Sequence, residues 1–96
     1  MNSEILEKAP IVANILKTLS HEGRLKILCF LIDGEKSVSE LETLTQLSQS
    51  QLSQYLKKFE SMDFVKVRKE GKWSLYSIKS KQLIDLMKSL QRIYCS

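Results

Sequence analysis

The chain has 96 residues, 43% of them apolar, and a formal net charge of +4 at pH 7. That length supports one modest hydrophobic core and excludes a second domain, so residues 1–96 are expected to form a single unit. The longest uninterrupted apolar run, Ile27 to Ile32, is far too short for a membrane span, and MNSEILEKAP carries acidic residues where a secretory signal would be apolar. The chain therefore reads as an intracellular, cytoplasmic protein with no membrane partner, and its moderate basic excess is compatible with nucleic acid without establishing it.

Taken in order, the segment around Pro10 predicts a helix through Val12, Ala13, Leu16 and Leu19, because proline is tolerated in a first turn and not in an interior; Ser3 to Ala9 would add a turn or a frayed lead-in. Ser20 and His21 can cap the next helix. From Arg24 to Ile32 that helix is apolar on nearly every side, which predicts burial all round and a place at the centre of the core. Asp33-Gly34 ends it. Ser37-x-x-Glu40 is a capping box opening a short helix through Val38, Leu41 and Leu44, and after the turn Thr45 to Ser48 a second box, Ser48 with Gln51, opens another. In this helix Leu52, Tyr55 or Leu56, and Phe59 face the core, leaving Gln49, Ser50, Ser53, Gln54, Lys57 and Lys58 outside. Phe64 to Arg68 and Trp73 to Ile78 alternate apolar and polar residues around Lys69-Glu70-Gly71-Lys72, the pattern of a β-hairpin. A last helix carries Leu83, Leu86, Met87, Leu90, Ile93 and Tyr94 on one stripe, with Ile84 and Cys95 to its side. The expected fold class is mainly α with a small β-hairpin (α+β): a winged helix-turn-helix of five helices and a two-stranded wing.

The amides, hydroxyls and ammonium groups outside the fourth helix suit a DNA groove, since Gln can address adenine N6 and N7, Ser donates or accepts, and Lys neutralises phosphate. Gln49, Ser50, Ser53 and Gln54 are the expected major-groove residues, with Lys57, Arg68, Lys69 and Lys72 on phosphate. Lys66 to Lys72 holds four basic residues and one acidic one, the most basic patch in the chain. Alone, either feature is equally a solvated polar face or a solubilising turn. The terminal stripe suits a homodimer, whose two-fold axis would set two reading heads on an inverted repeat. His21 is read as a helix cap or surface residue, and two cysteines with one distant His supply no evident metal site. Cys29 and Cys95 stay open between two readings: inert apolar fillers, or a reactive pair. Sequence spacing does not say whether the sulfurs meet. No His–carboxylate cluster, phosphate-binding Gly loop or activated nucleophile suggests an enzyme or a cofactor.

From His21 to Cys95 the sequence resembles the ArsR/SmtB family of winged-helix repressors: LSHEGRLKIL is similar to its second-helix signature, SVSELETLTQLSQSQLSQYLKKFESMDFV to its helix-turn-helix, and VRKEGKWSLYSI to its wing. The resemblance implies a dimeric protein that binds a double-stranded operator, with first and last helices at the interface and an inducer that loosens it from DNA. It departs from the metal-sensing members. Leu41, Glu42 and Thr43 stand where a cysteine metal box would lie, and Lys81 to Tyr94 holds Asp85 but no His. RLKILC ending at Cys29 and the terminal Tyr94-Cys95 resemble the family's two-cysteine subgroup, which implies that persulfides, polysulfides or oxidants act on this pair. A regulator with inert cysteines, a metal-responsive repressor of the same family, and a winged-helix protein-interaction module are the alternatives.

Overall fold

The computed structural model describes residues 3–95; Met1, Asn2 and Ser96, which the single-unit expectation includes, lie outside the described residues. The elements run α1 (Ser3–Glu7), α2 (Ala9–Leu19), α3 (Glu22–Ile32), β1 (Lys36–Ser37), α4 (Val38–Thr45), α5 (Gln49–Ser61), β2 (Val65–Glu70), β3 (Trp73–Ile78) and α6 (Lys81–Tyr94). The helix starts are set by local chemistry. His21 caps α3 by accepting the Gly23 amide on Nδ1 at 3.2 Å. Ser37 and Ser48 each accept the amide three residues on, at 3.1 Å, and Glu40 and Gln51 reply to the cap amides at 3.0 and 3.1 Å. Both capping boxes are therefore complete, and they fix the two ends of the turn between α4 and α5. Gln46 takes the left-handed conformation at φ 63° that closes α4, with its backbone N–H bonded to the Glu42 carbonyl.

Two expectations need correction. The described residues hold six helices where five were expected, because the lead-in before Pro10 is a separate short helix. Pro10 has no amide to continue the ladder, and the chain turns at Lys8 before α2 begins. The wing sheet has a third strand: β1 pairs antiparallel with β3, giving the order β1-β3-β2, with Lys36 opposite Tyr76 and Ser37 opposite Leu75. Across the hairpin Val65 faces Ile78 and Glu70 faces Trp73, and Gly71 at φ 60° supplies the left-handed turn residue.

The core gathers Ile27, Leu28 and Leu31 of α3, Leu41 of α4, Leu52, Leu56 and Phe59 of α5, Phe64 and Val65, and Leu83 and Met87 of α6. The helix α3 is thus central, as its apolar run implied. It is not buried all round: Leu25, Cys29 and Phe30 are half-buried and Lys26 is exposed. The stripe on α6 is buried only at Leu83 and Met87; toward the helix end Ile93 is 63% exposed and Tyr94 79%.

Candidate nucleic-acid interface and cysteine pair

Burying Leu52, Leu56 and Phe59 turns the opposite side of α5 outward, and Gln49, Ser50, Ser53, Gln54 and Lys57 are all exposed there. Tyr55 lies half-buried on the flank. Its hydroxyl is 3.0 Å from His21 Nε2, its ring centroid 5.0 Å from the His21 ring, and the Arg24 guanidinium stands 5.3 Å from that centroid. Thus His21 is both a cap and a fastening between α3 and the candidate recognition helix. Sequence reading gave only the cap, because the partners are far apart in the chain.

At the wing, Lys69 and Lys72 are exposed; Lys69 Nζ donates to Ser74 Oγ at 2.6 Å, and Lys72 Nζ stands 5.4 Å from the Trp73 ring centroid. Arg68 is engaged by two carboxylates. Its Nε and Nη2 donate to both oxygens of Glu35 at 2.9 and 2.8 Å, and Nη1 lies 2.8 Å from Glu70. The Arg68 hydrogen bonds hold the Glu35 carboxyl below its ordinary range, and those two acids in turn raise the already high Arg68 value. Local sequence does not reveal the Glu35 partner, since it sits in the turn after α3 and meets β2 only through the fold.

On another part of the surface Cys29 of α3 and Cys95 beyond α6 line one cleft of about 280 Å³, whose walls are Leu25, Met87, Leu90, Gln91 and Tyr94. Both thiols are free; Cys29 is half-buried and Cys95 exposed. Burial, then the proximity of Cys95 and of Asp33, pushes the Cys29 thiol above its ordinary value. Among the described residues no three His, Cys, Asp or Glu side chains come together as a metal-binding group, and no helix is long and apolar enough to cross a membrane.

A short capped helix, a tight turn, a second capped helix with a polar outer face, and a basic wing define a winged helix-turn-helix DNA-binding protein. The family model described as bacterial regulatory protein, arsR family, matches residues 21–67. The chain is 40% identical over 96 residues to the transcriptional activator HlyU of Vibrio cholerae, covering 99% of this chain and 89% of that protein. It is 39% identical over 97 residues to the biofilm growth-associated repressor of Xylella fastidiosa, covering 100% of this chain and 85% of that one. Among solved structures, reduced HlyU from Vibrio cholerae matches with a TM-score of 0.90 at 36% identity, covering 99% of this chain and 100% of that chain. The homodimeric winged helix-turn-helix DNA-binding domain Mb0332 from Mycobacterium bovis matches with a TM-score of 0.79 at 27% identity, covering 97% and 86%. The chain belongs to the arsR family and is a DNA-binding transcriptional regulator.

Proposed function

We propose that this regulator binds its operator as a homodimer and releases it when reactive sulfur species or oxidants link Cys29 to Cys95. The observation that carries the reading is that both cysteines, remote in sequence, line the same apolar cleft. Cys95 is exposed and is the group an external polysulfide meets first, while Cys29, half-buried in the same cleft and held above its ordinary value by burial, is the slower nucleophile and attacks second, once a persulfide stands beside it. In the first step the Cys95 thiolate attacks a polysulfide sulfur, forming Cys95–S–SH and expelling a polysulfide anion shorter by one sulfur. The Cys29 thiolate then attacks Cys95 Sγ, forming the disulfide and releasing HS⁻; a longer adduct attacked at an inner sulfur leaves a sulfur-bridged crosslink by the same accounting.

The link would tie α3 to the end of α6. Since α3 packs on α4 of the helix-turn-helix, the constraint reaches the reading head. Dimerisation is supported by large apolar side chains left exposed on the terminal helices, Leu6, Ile11 and Leu16 at one end of the chain and Ile93 and Tyr94 at the other, and by the homodimeric relative. A shift in the spacing of two heads need cost only about 1.4 kcal/mol to weaken binding ten-fold. On the DNA, Gln49, Ser50, Ser53 and Gln54 take the major groove and Lys57, Lys69 and Lys72 take phosphates; Arg68 joins them when a phosphate displaces its carboxylates. The test is operator release on polysulfide treatment of wild-type, Cys29→Ser and Cys95→Ser proteins. Only the wild type should let go, and release of either variant would leave a DNA-binding regulator with inert cysteines.

A further inference from the structure

We propose that Tyr55 is a further DNA-contact residue, its hydroxyl donating to a backbone phosphate oxygen from an orientation set by His21. The inference rests on the reading that α5 lies on duplex DNA. Its first support is hydrogen-bond direction. His21 Nδ1 accepts the Gly23 amide at 3.2 Å, so Nδ1 carries no proton and the ring N–H is at Nε2. That nitrogen, 3.0 Å from the Tyr55 hydroxyl, is then the donor and the phenolic oxygen the acceptor. The phenolic proton has no use inside this pair and is left for another acceptor.

The ring's position is also fixed. It lies against Gly23 so closely that a Cβ there would come 3.1 Å from Tyr55 Cε2, and the Arg24 guanidinium covers it at 5.3 Å from the centroid. A hydroxyl on a ring held this way starts with little freedom to lose on binding. At about 100° per residue, Tyr55 falls on the flank of α5 between the buried row of Leu52 and Phe59 and the exposed pair Gln51 and Lys58. A flank side chain of a helix in the major groove meets the sugar–phosphate wall rather than the base edges, and Arg24, over the ring, and exposed Lys58, three residues on, are cations beside it. A neutral donor among cations has a phosphate oxygen as its natural acceptor.

The test measures affinity for a mixed-sequence duplex by wild-type, Tyr55→Phe, His21→Asn and Lys57→Ala proteins, with thermal unfolding to confirm that each is folded. Tyr55→Phe keeps the ring on Gly23 and removes only the hydroxyl, and should bind about ten-fold more weakly. In His21→Asn the asparagine still caps α3 and the freed tyrosine hydroxyl still donates, so the loss should be smaller. Equal losses in these two variants would mean that the hydroxyl acts only through its bond to His21, and would overturn the inference. Tyr55→Phe binding like wild type while Lys57→Ala is weakened would also overturn it, leaving α5 on the DNA. If Lys57→Ala as well as Tyr55→Phe bound normally, the placement of α5 on DNA would fall, and the inference with it.

Discussion

Replacing Glu35 by glutamine should tighten DNA binding, although Glu35 touches no residue of the recognition helix. Arg68 is the wing cation most fully occupied within the protein: Glu35 grips it through two hydrogen bonds, and Glu70 takes a third nitrogen. Arg68, Glu35 and Glu70 together carry one positive and two negative charges, so this group offsets the neighbouring wing cations, Lys66 among them, where the wing should be drawn to phosphate. Glu35→Gln preserves the shape and raises the local charge by one unit, which leaves only Glu70 as an anionic partner and makes Arg68 easier for a phosphate to capture. One added phosphate contact steepens the plot of log affinity against log salt by about 0.9. Between about 200 and about 50 mM salt, the ratio of variant to wild-type affinity should therefore grow about 3.5-fold. Fluorescence anisotropy with a labelled mixed-sequence duplex over that range measures it directly. Acid should act in the same direction, but late. Arg68 holds the Glu35 carboxyl below its ordinary range, so the ion pair is complete above the unfolded-state value and is lost only as pH falls through the lower folded-state one. An unchanged salt slope in Glu35→Gln would refute the reasoning, since Arg68 would then meet phosphate to the same extent with or without the Glu35 charge.

Ser48→Ala removes the acceptor for the Gln51 amide at the start of α5 and should destabilise the fold by about 1 kcal/mol, a Tm drop of roughly 4–8 °C by calorimetry; an unchanged Tm would show the cap to be dispensable. Alkylation followed by peptide mapping should find Cys95 modified before Cys29 at neutral pH. The Cys29 rate should rise only at alkaline pH, since its thiol is pushed above the ordinary value, and equal rates at neutral pH would contradict the assigned order of attack. By the same linkage, the stability contributed by the neutral Cys29 thiol is full below the unfolded-state value and is lost as pH rises through the folded one. If the proposed dimer uses the exposed side of α2, Leu16→Glu should give a monomer in light scattering where the wild type gives a dimer, whereas a variant that stays dimeric would move the interface elsewhere.

What the sequence disclosed was local. Pro10, the boxes at Ser37 and Ser48, and the alternation on either side of Gly71 each act within a few residues; the first three produce the expected helix starts, and the last the expected hairpin, although β2 runs on through Lys69 and Glu70 and leaves only Gly71-Lys72 as the turn. The strand β1 escaped notice because two residues are too short to alternate, and it exists only through β3. Cys29 sits in an apolar run that looked wholly buried, yet no described side chain covers that side of α3 completely, so the thiol is reachable. The Glu35–Arg68 and His21–Tyr55 contacts join residues more than a whole element apart. Nothing in their local spacing distinguishes them from ordinary surface charges and caps.

The central claim is that chemistry at two cysteines controls DNA binding, and one sample can test it. The reduced protein bound to its operator is treated with polysulfide, and DNA release is followed while intact mass and thiol blocking report the state of the cysteines. The account predicts that release tracks the loss of both free thiols within one chain, with either two hydrogens lost or whole sulfur atoms gained. Release while Cys29 and Cys95 both remain free, or their linkage without release, would contradict it.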